Sequence, residues 1–400
     1  MGYITRMRRR VLGGIAVFAF TASLSACGDD HSPMQTLPSP PPPPLNYMTF
    51  GAISPGDAHT CGITTDGASY CWGDNFDGQL GTETPSDRLT PTRVAGDLHF
   101  TMLDAGFRHT CGVTTVGGLY CWGHNGEGEL GDGTTTNRTM PTAALGGLEL
   151  VSVSASATHS CGLTTSATVY CWGSNSYGEL GDGTTTQRSS PVLVTGGLRF
   201  AGVSTGYAHT CAITVGGTAY CWGDNSDGQL GDSTATNQSS PARVHGGLLF
   251  GRVRAGYLHT CGITTAGAAY CWGNNQEGQL GDGTSLTQTT PVAVKNGLTF
   301  VTISAGFATS CGVTIDGQAY CWGRNSRGEL GDGTTTNRLM PTPVGTPALG
   351  ALSIAMLNSG GGHTCVVTPE AAAYCWGMNG NGQLGDGTTR DRSTPVRVAP

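Results

Sequence analysis

Apolar residues in this chain come in short runs separated by glycine-bearing polar stretches, a pattern of strands rather than helices. Residues 250–299 show the unit. Phe250 and Val253 lie in a short apolar strand ending at Gly256. His259-Thr260-Cys261-Gly262-Ile263-Thr264-Thr265 is a β-branched strand, Ala266-Gly267 a turn, and Ala269-Tyr270-Cys271-Trp272-Gly273 the returning strand. A glycine-rich loop from Asn275 to Gly283 follows, and Pro291-Val292-Ala293-Val294 closes the unit as an edge strand. The unit recurs seven times over residues 47–400: Cys61, Cys111, Cys161, Cys211, Cys261 and Cys311 are fifty apart, and Cys365 comes four residues late. Four strands per repeat predict an all-β fold, a seven-bladed β-propeller whose radial sheets each need their neighbours. Closure of the ring is expected to join the Phe50–Ile53 strand to the Pro395–Val398 strand.

Composition sharpens this picture. Glycine supplies 65 of 400 residues, about twice the usual ~7%, which argues against long helices. Only 12% of residues are charged, as expected where sheets bury both faces. Net charge is −7 and Lys295 is the only lysine, which argues against a nucleic-acid surface.

The N-terminal segment reads as an address. Arg6, Arg8, Arg9 and Arg10 precede an apolar stretch, Val11 to Ala26, that is shorter than the ~20 residues a spanning helix needs. It ends in Leu24-Ser25-Ala26-Cys27, which resembles a bacterial lipobox; the other reading is an ordinary signal peptide with a cysteine nearby. Residues 1–27 are therefore expected to be a lipoprotein signal peptide with Cys27 as the lipidation site. Residues 28–46, with prolines at 38 and 40–44, are expected to be a stiff linker, and residues 47–400 the propeller. The expected location is the cell envelope, at the outer membrane or cell surface, through the lipid anchor.

At the repeat positions the chain resembles the regulator of chromosome condensation repeat family (alpha-tubulin suppressor-like). The residues that carry the likeness are Gly206-Tyr207-Ala208-His209, Trp222-Gly223, Asn225-Ser226-Asp227-Gly228-Gln229-Leu230-Gly231 and Pro241-Ala242-Arg243-Val244. The resemblance implies the seven-bladed ring. The departures are a cysteine pair in every blade, the leader, and Gly81-Thr82-Glu83 where other repeats have a Gly-Asp turn. A plant ultraviolet photoreceptor of that family uses tryptophan in a G-W-R-H-T motif; Gly106-Phe107-Arg108-His109-Thr110 lacks it, which argues against light sensing.

Each first cysteine has a partner ten residues on: Cys71, Cys121, Cys171, Cys221, Cys271, Cys321 and Cys375. A hairpin turning at Thr65-Asp66-Gly67 pairs residues whose numbers sum to 132, so Cys61 faces Cys71 within disulfide reach. One intrablade disulfide per blade is expected, with interblade bridges as the alternative. Fourteen cysteines are thereby paired and Cys27 is left over, consistent with lipidation. Two cysteines per blade fall short of a zinc site, and no metal or other cofactor is expected.

His59, His109, His159, His209, His259 and His363 precede the first cysteines, with Thr309 in the remaining repeat. Local hydrogen bonding inside each blade is expected of them, rather than a shared metal. Asn75 and its repeats are expected to cap loop backbone, Asp132 and its repeats to form turns, and the seven tryptophans to pack between blades.

Scaffold positions repeat, so the positions that vary carry the functional information. One set precedes each histidine and includes Phe107, Arg108, Tyr207, Tyr257, Leu258 and Phe307. A second follows each Trp-Gly and includes Phe76, Tyr177 and Arg324. Hairpin geometry brings both sets to one face. Aromatic anchors among charges suit a protein-binding site; the alternative is that these aromatics fold back over neighbouring blades. The resemblance adds a precedent, since a secreted bacterial protein of this fold inhibits β-lactamases with aromatic loop residues from one face. The expected function is a monomeric protein-binding or scaffold module, not an enzyme. The alternatives are a carbohydrate- or envelope-binding module and a propeller lyase or hydrolase. For catalysis, only His124 with Glu127 offers a candidate pair.

Overall fold

The structure, a computed structural model, describes residues 47–345 and 353–400. The leader, Cys27 and the proline linker lie outside the described residues. In the first repeat β1 (Phe50–Pro55), β2 (His59–Thr64), β3 (Ser69–Gly73) and β4 (Arg88–Arg93) form one antiparallel sheet in chain order, and seven such sheets make the ring. Strand positions agree with the pattern of the 250–299 unit: Phe250–Ala255, His259–Thr264, Ala269–Gly273 and Gln288–Ala293. β1 and its six counterparts stand side by side around a central channel, and β4 and its counterparts lie on the outside.

In every blade the second and third strands pair in the register that the turn dictates. Cys61 sits opposite Cys71, and the seven pairs are disulfide-bonded with Cα–Cα separations of 4.0–4.1 Å. Each disulfide is fully buried in a core that belongs to two blades. Cys61, Ile63, Cys71 and Leu80 of blade 1 pack on Phe100, Leu103 and Trp122 of blade 2, so the hydrophobic driving force acts between sheets.

Ring closure differs from the strand-exchange expectation. Arg392–Arg397 pairs with the third strand of blade 7, and β1 pairs only with β2. Closure is instead a seventh copy of the ordinary blade interface: Phe50, Ile53 and Trp72 pack against Cys365, Cys375, Leu384 and Val398. Phe50 donates its backbone N–H to Ala371 O at 2.8 Å, as Phe250 does to Gly217 O. Every blade is made from one continuous repeat, so no strand is exchanged at the closure.

The histidines correct a second expectation. Their Nε2 bonds run between blades, and among the described residues one ring bond lies within a blade, His159 Nδ1 with Ser156 Oγ at 3.1 Å. The Nε2 atoms of His59, His109, His159, His209, His259 and His363 each lie 2.7–2.9 Å from a Thr or Ser hydroxyl of the next blade; for His59 this is Thr110, and for His363 it is Thr60. Each hydroxyl spends its single proton on a carbonyl of the preceding blade, as Thr110 does on Gln79 O at 2.8 Å. The histidine must therefore donate from Nε2, which fixes the neutral tautomer. Nδ1 is then a bare acceptor, and in five of the six histidines it has no partner. Burial holds the imidazoles far below their usual range, at about 3 for His59 and about 4 for His109.

The Gln79 carbonyl also accepts from Trp122 Nε1 at 2.9 Å, so one oxygen holds two groups of the next blade. Six of the seven tryptophans donate in this way; Trp222 Nε1 has no partner among the described residues. Glycine is required beside them: Gly231 has φ of 69°, and a Cβ there would stand 2.6 Å from Trp272 Nε1. Asn75 caps its loop as expected, donating to Thr84 O and accepting from Leu80 N–H.

Candidate functional site

The loop after each inner strand and the loop after each third strand meet on one face, because the hairpin ends beneath both. Asp74 N–H bonds Ala58 O at 2.9 Å, and the bond recurs in the other blades. The two variable sets therefore share a face at one mouth of the channel.

Four aromatics of the first set converge there. Phe107 of blade 2 lies 6.1 Å from Tyr207 of blade 4 and 5.7 Å from Tyr257 of blade 5, measured between ring centres. Tyr207 and Tyr257 are 4.2 Å apart, and Tyr257 and Phe307 of blade 6 are 4.4 Å apart. The rings are half-buried and contact one another at tilted angles at the channel mouth, Tyr207, Tyr257 and Phe307 coming from consecutive blades. Blades 1, 3 and 7 offer Asp57, Ala157 and Gly361 at the same position, so the cap is lopsided. Partial burial, followed by the nearby Asp74 carboxylate, pushes the carboxyl of half-buried Asp57 up to about 6. Burial, followed by the neighbouring Tyr207, pushes the Tyr257 hydroxyl up to about 12.

A second group forms the rim. Phe76 is 75% exposed. The Arg108 guanidinium carbon lies 5.9 Å from the Phe76 ring centre while its NH2 group pairs with Asp77 at 2.6 Å, bridging blades 1 and 2. Arg324 lies 5.7 Å from the Phe307 ring and thereby joins rim to cap. Tyr177 is exposed on blade 3, apart from the cluster, and Leu258 is half-buried beside Tyr257.

The candidate acid–base pair is not what the spacing indicated. His124 Nδ1 lies 2.8 Å from Glu129, not from Glu127. Glu129 also accepts the Glu127 N–H, and the same brace appears as Ser174 with Glu179 and Gln79 with Asp74. The pair is one version of a repeated loop brace. The hydrogen bond with Glu129 holds the His124 imidazole above its usual range, and burial at the carboxylate is outweighed by His124.

The channel behind the cap encloses about 910 Å³. Its wall carries one position from each inner strand: Ser54, Asp104, Ser154, Ser204, Arg254, Ser304 and Asn358. Neither charge was singled out in the sequence. The available signal was a departure from serine at one phase of the repeat.

Comparison with known proteins agrees with the architecture. The human WBSCR16 structure superposes with a TM-score of 0.75 at 22% identity, covering 83% of this chain and 95% of that one. Prp20p from Saccharomyces cerevisiae, described with its binding properties to Gsp1p and histones, gives 0.70 at 21% identity over 78% of this chain and 80% of its own. Yeast RCC1 (Prp20) with bound Kap60 gives 0.73 at 20% identity, covering 88% and 86%. Residues 52–79 and 66–113 match the regulator of chromosome condensation (RCC1) repeat. Residues 103–400 match the RCC1-like domain, and on that match, with the seven-bladed ring and its repeated Trp-Gly blades, the chain belongs to the RCC1-like domain family.

Proposed function

We propose that this protein is an exported, lipid-anchored propeller that binds another protein through the capped face and performs no catalysis itself. The observation that carries this reading is the rim: Phe76 stands exposed at 75% beside the Asp77–Arg108 pair, on the face that carries the Phe107, Tyr207, Tyr257 and Phe307 cluster. An exposed aromatic beside an arginine is the kind of residue that carries binding energy at a protein interface. Proteins of the same fold whose structures were described with protein partners, Prp20p among them, lend support to a binding role. Export and anchoring rest on the leader and on Cys27, and the seven buried disulfides are compatible with an oxidising compartment.

The test uses the full chain as bait against membrane-envelope proteins of the host. Wild type should retain a defined partner that the double variant Phe76→Ala, Arg108→Ala loses, with unchanged melting temperature. Equal retention by the variant refutes the site. Failure to retain protein, together with selective binding on a polysaccharide array, would transfer the assignment to a carbohydrate-binding module.

A further inference from the structure

The channel wall follows a rule in five of its seven blades. At the fifth position of the inner strand, a side-chain oxygen accepts the N–H of the following residue in the next blade. Ser54 accepts from Ala105, Asp104 from Ala155, Ser154 from Thr205, Ser204 from Ala255 and Ser304 from Ser359 at 2.8–3.1 Å. Asn358 makes an interblade bond in the other sense, donating to Ile53 O at 2.8 Å. Arg254 holds the same position in blade 5. A guanidinium only donates, so the cap on the Ala305 N–H is missing from the ring. Among the described residues, the one protein hydrogen bond of the Arg254 side chain is NH1 to Val253 O of its own strand at 3.3 Å. A stabilising contact has been exchanged for an arginine inside the channel, the kind of local rule-breaking that functional sites show.

The surroundings of that arginine describe a ligand. Arg252, two residues earlier and on the same side of the strand, stands nearer the open mouth and reaches Thr302 Oγ1 at 3.2 Å. Asp104 lies on blade 2, as far from blade 5 as a seven-membered ring allows. Among the described residues no ion pair joins it to Arg254, and about 910 Å³ lies within the channel that both line. Beyond them the aromatic cluster caps the far mouth, while Gly51, Thr101, Val151, Ala201, Gly251 and Val301 ring the exposed one.

We propose that the channel is a one-ended well for a small zwitterion of amino acid or short peptide size, its carboxylate held by Arg254 and Arg252 and its ammonium group directed toward Asp104. At ~30 Å³ per water the space holds some thirty molecules, so an amino acid or dipeptide fits with its solvent. Opposite charges across a gap favour a molecule carrying both over a simple anion, since an anion alone leaves the Asp104 carboxylate, which accepts from Ala155 N–H and the Ser54 hydroxyl, without a counter-charge from the ligand.

Thermal melting and calorimetry with the twenty free amino acids and the dipeptides Ala-Ala and Gly-Gly test this, with acetate and methylammonium as half-ligands. At least one zwitterion should raise the wild-type melting temperature and bind at least tenfold tighter than acetate. Arg254→Ser, the residue other blades use, should melt higher than wild type without ligand because the cap on Ala305 is restored, yet bind at least tenfold more weakly. Arg254→Lys should retain part of the binding, and Asp104→Asn, which keeps the acceptor for Ala155, should lose the preference over acetate. No shift with any member of the panel overturns the proposal, and so does equal binding by wild type and Arg254→Ser.

Discussion

Lowering the pH from 7 to 5 is expected to strip most of the stability from the ring, through the six buried histidines. In the folded protein each imidazole is neutral, donating from Nε2 to a hydroxyl whose own proton is committed to a carbonyl. Protonation at Nδ1 would create a cation in a buried interface, with no acceptor among the described residues for five of the six. Folded values near 3 to 4 against an unfolded 6.5 mean that the unfolded chain binds more protons across that window. The stability is fully present above pH 6.5 and is lost as pH falls toward the folded values. At pH 5 linkage puts the loss at about 2 kcal/mol per histidine, roughly 12 kcal/mol for six, comparable with the whole stability of an ordinary domain. Asp57 and Asp104, both raised by burial to about 6, act in the opposite sense and recover part of it, since the folded state binds their protons first. His124, raised by Glu129, is protonated in both states at pH 5 and drops out. The net uptake on unfolding at pH 5 is then about four protons. Guanidinium denaturation without reductant at pH 7, 6, 5.5 and 5 measures it from the slope of the unfolding free energy. His259→Gln should reduce the uptake by about one proton. Stability independent of pH between 7 and 5, or an uptake below one proton, would refute the interblade neutral-histidine assignment.

Three further outcomes are expected. Gly231→Ala, which forces a Cβ into the Trp272 indole at a φ of 69°, should cost about 3 kcal/mol of stability in chemical denaturation. Glu83→Gly and Ser233→Gly relieve left-handed backbone at φ of 67° and 73°, where other repeats carry glycine; each should raise stability by about 1 kcal/mol, read as a higher melting temperature. Replacing Cys261 and Cys271 together by serine opens an eleven-residue loop and should cost about 3 kcal/mol, while mass spectrometry of the unreduced wild-type propeller should find none of its fourteen cysteines alkylatable.

The blades and their disulfides were legible because both follow from local rules. A three-residue turn sets the hairpin register, so Cys61 opposite Cys71 follows from counting, and the fifty-residue period multiplies the result. The shared face of the two variable loops follows from the same hairpin. What escaped the reading depends on residues one blade apart or across the ring. His59 bonds a threonine 51 positions away, and His363 bonds one 303 positions back. A Thr or Ser follows the histidine in every repeat that has one, so the signal was present, but a repeat read by itself suggests a local partner.

The amino-acid sequence alone determined the number of blades, the strands within each and the pairing of cysteines, since periodicity and turn chemistry act over a few residues. Only the closed ring decided how blades grip one another and where Phe107, Tyr207, Tyr257 and Phe307 meet. The same is true of Asp104 and Arg254 facing each other across the channel. Those relations depend on the angle accumulated over seven packed sheets, a quantity that belongs to the interfaces and to no single repeat.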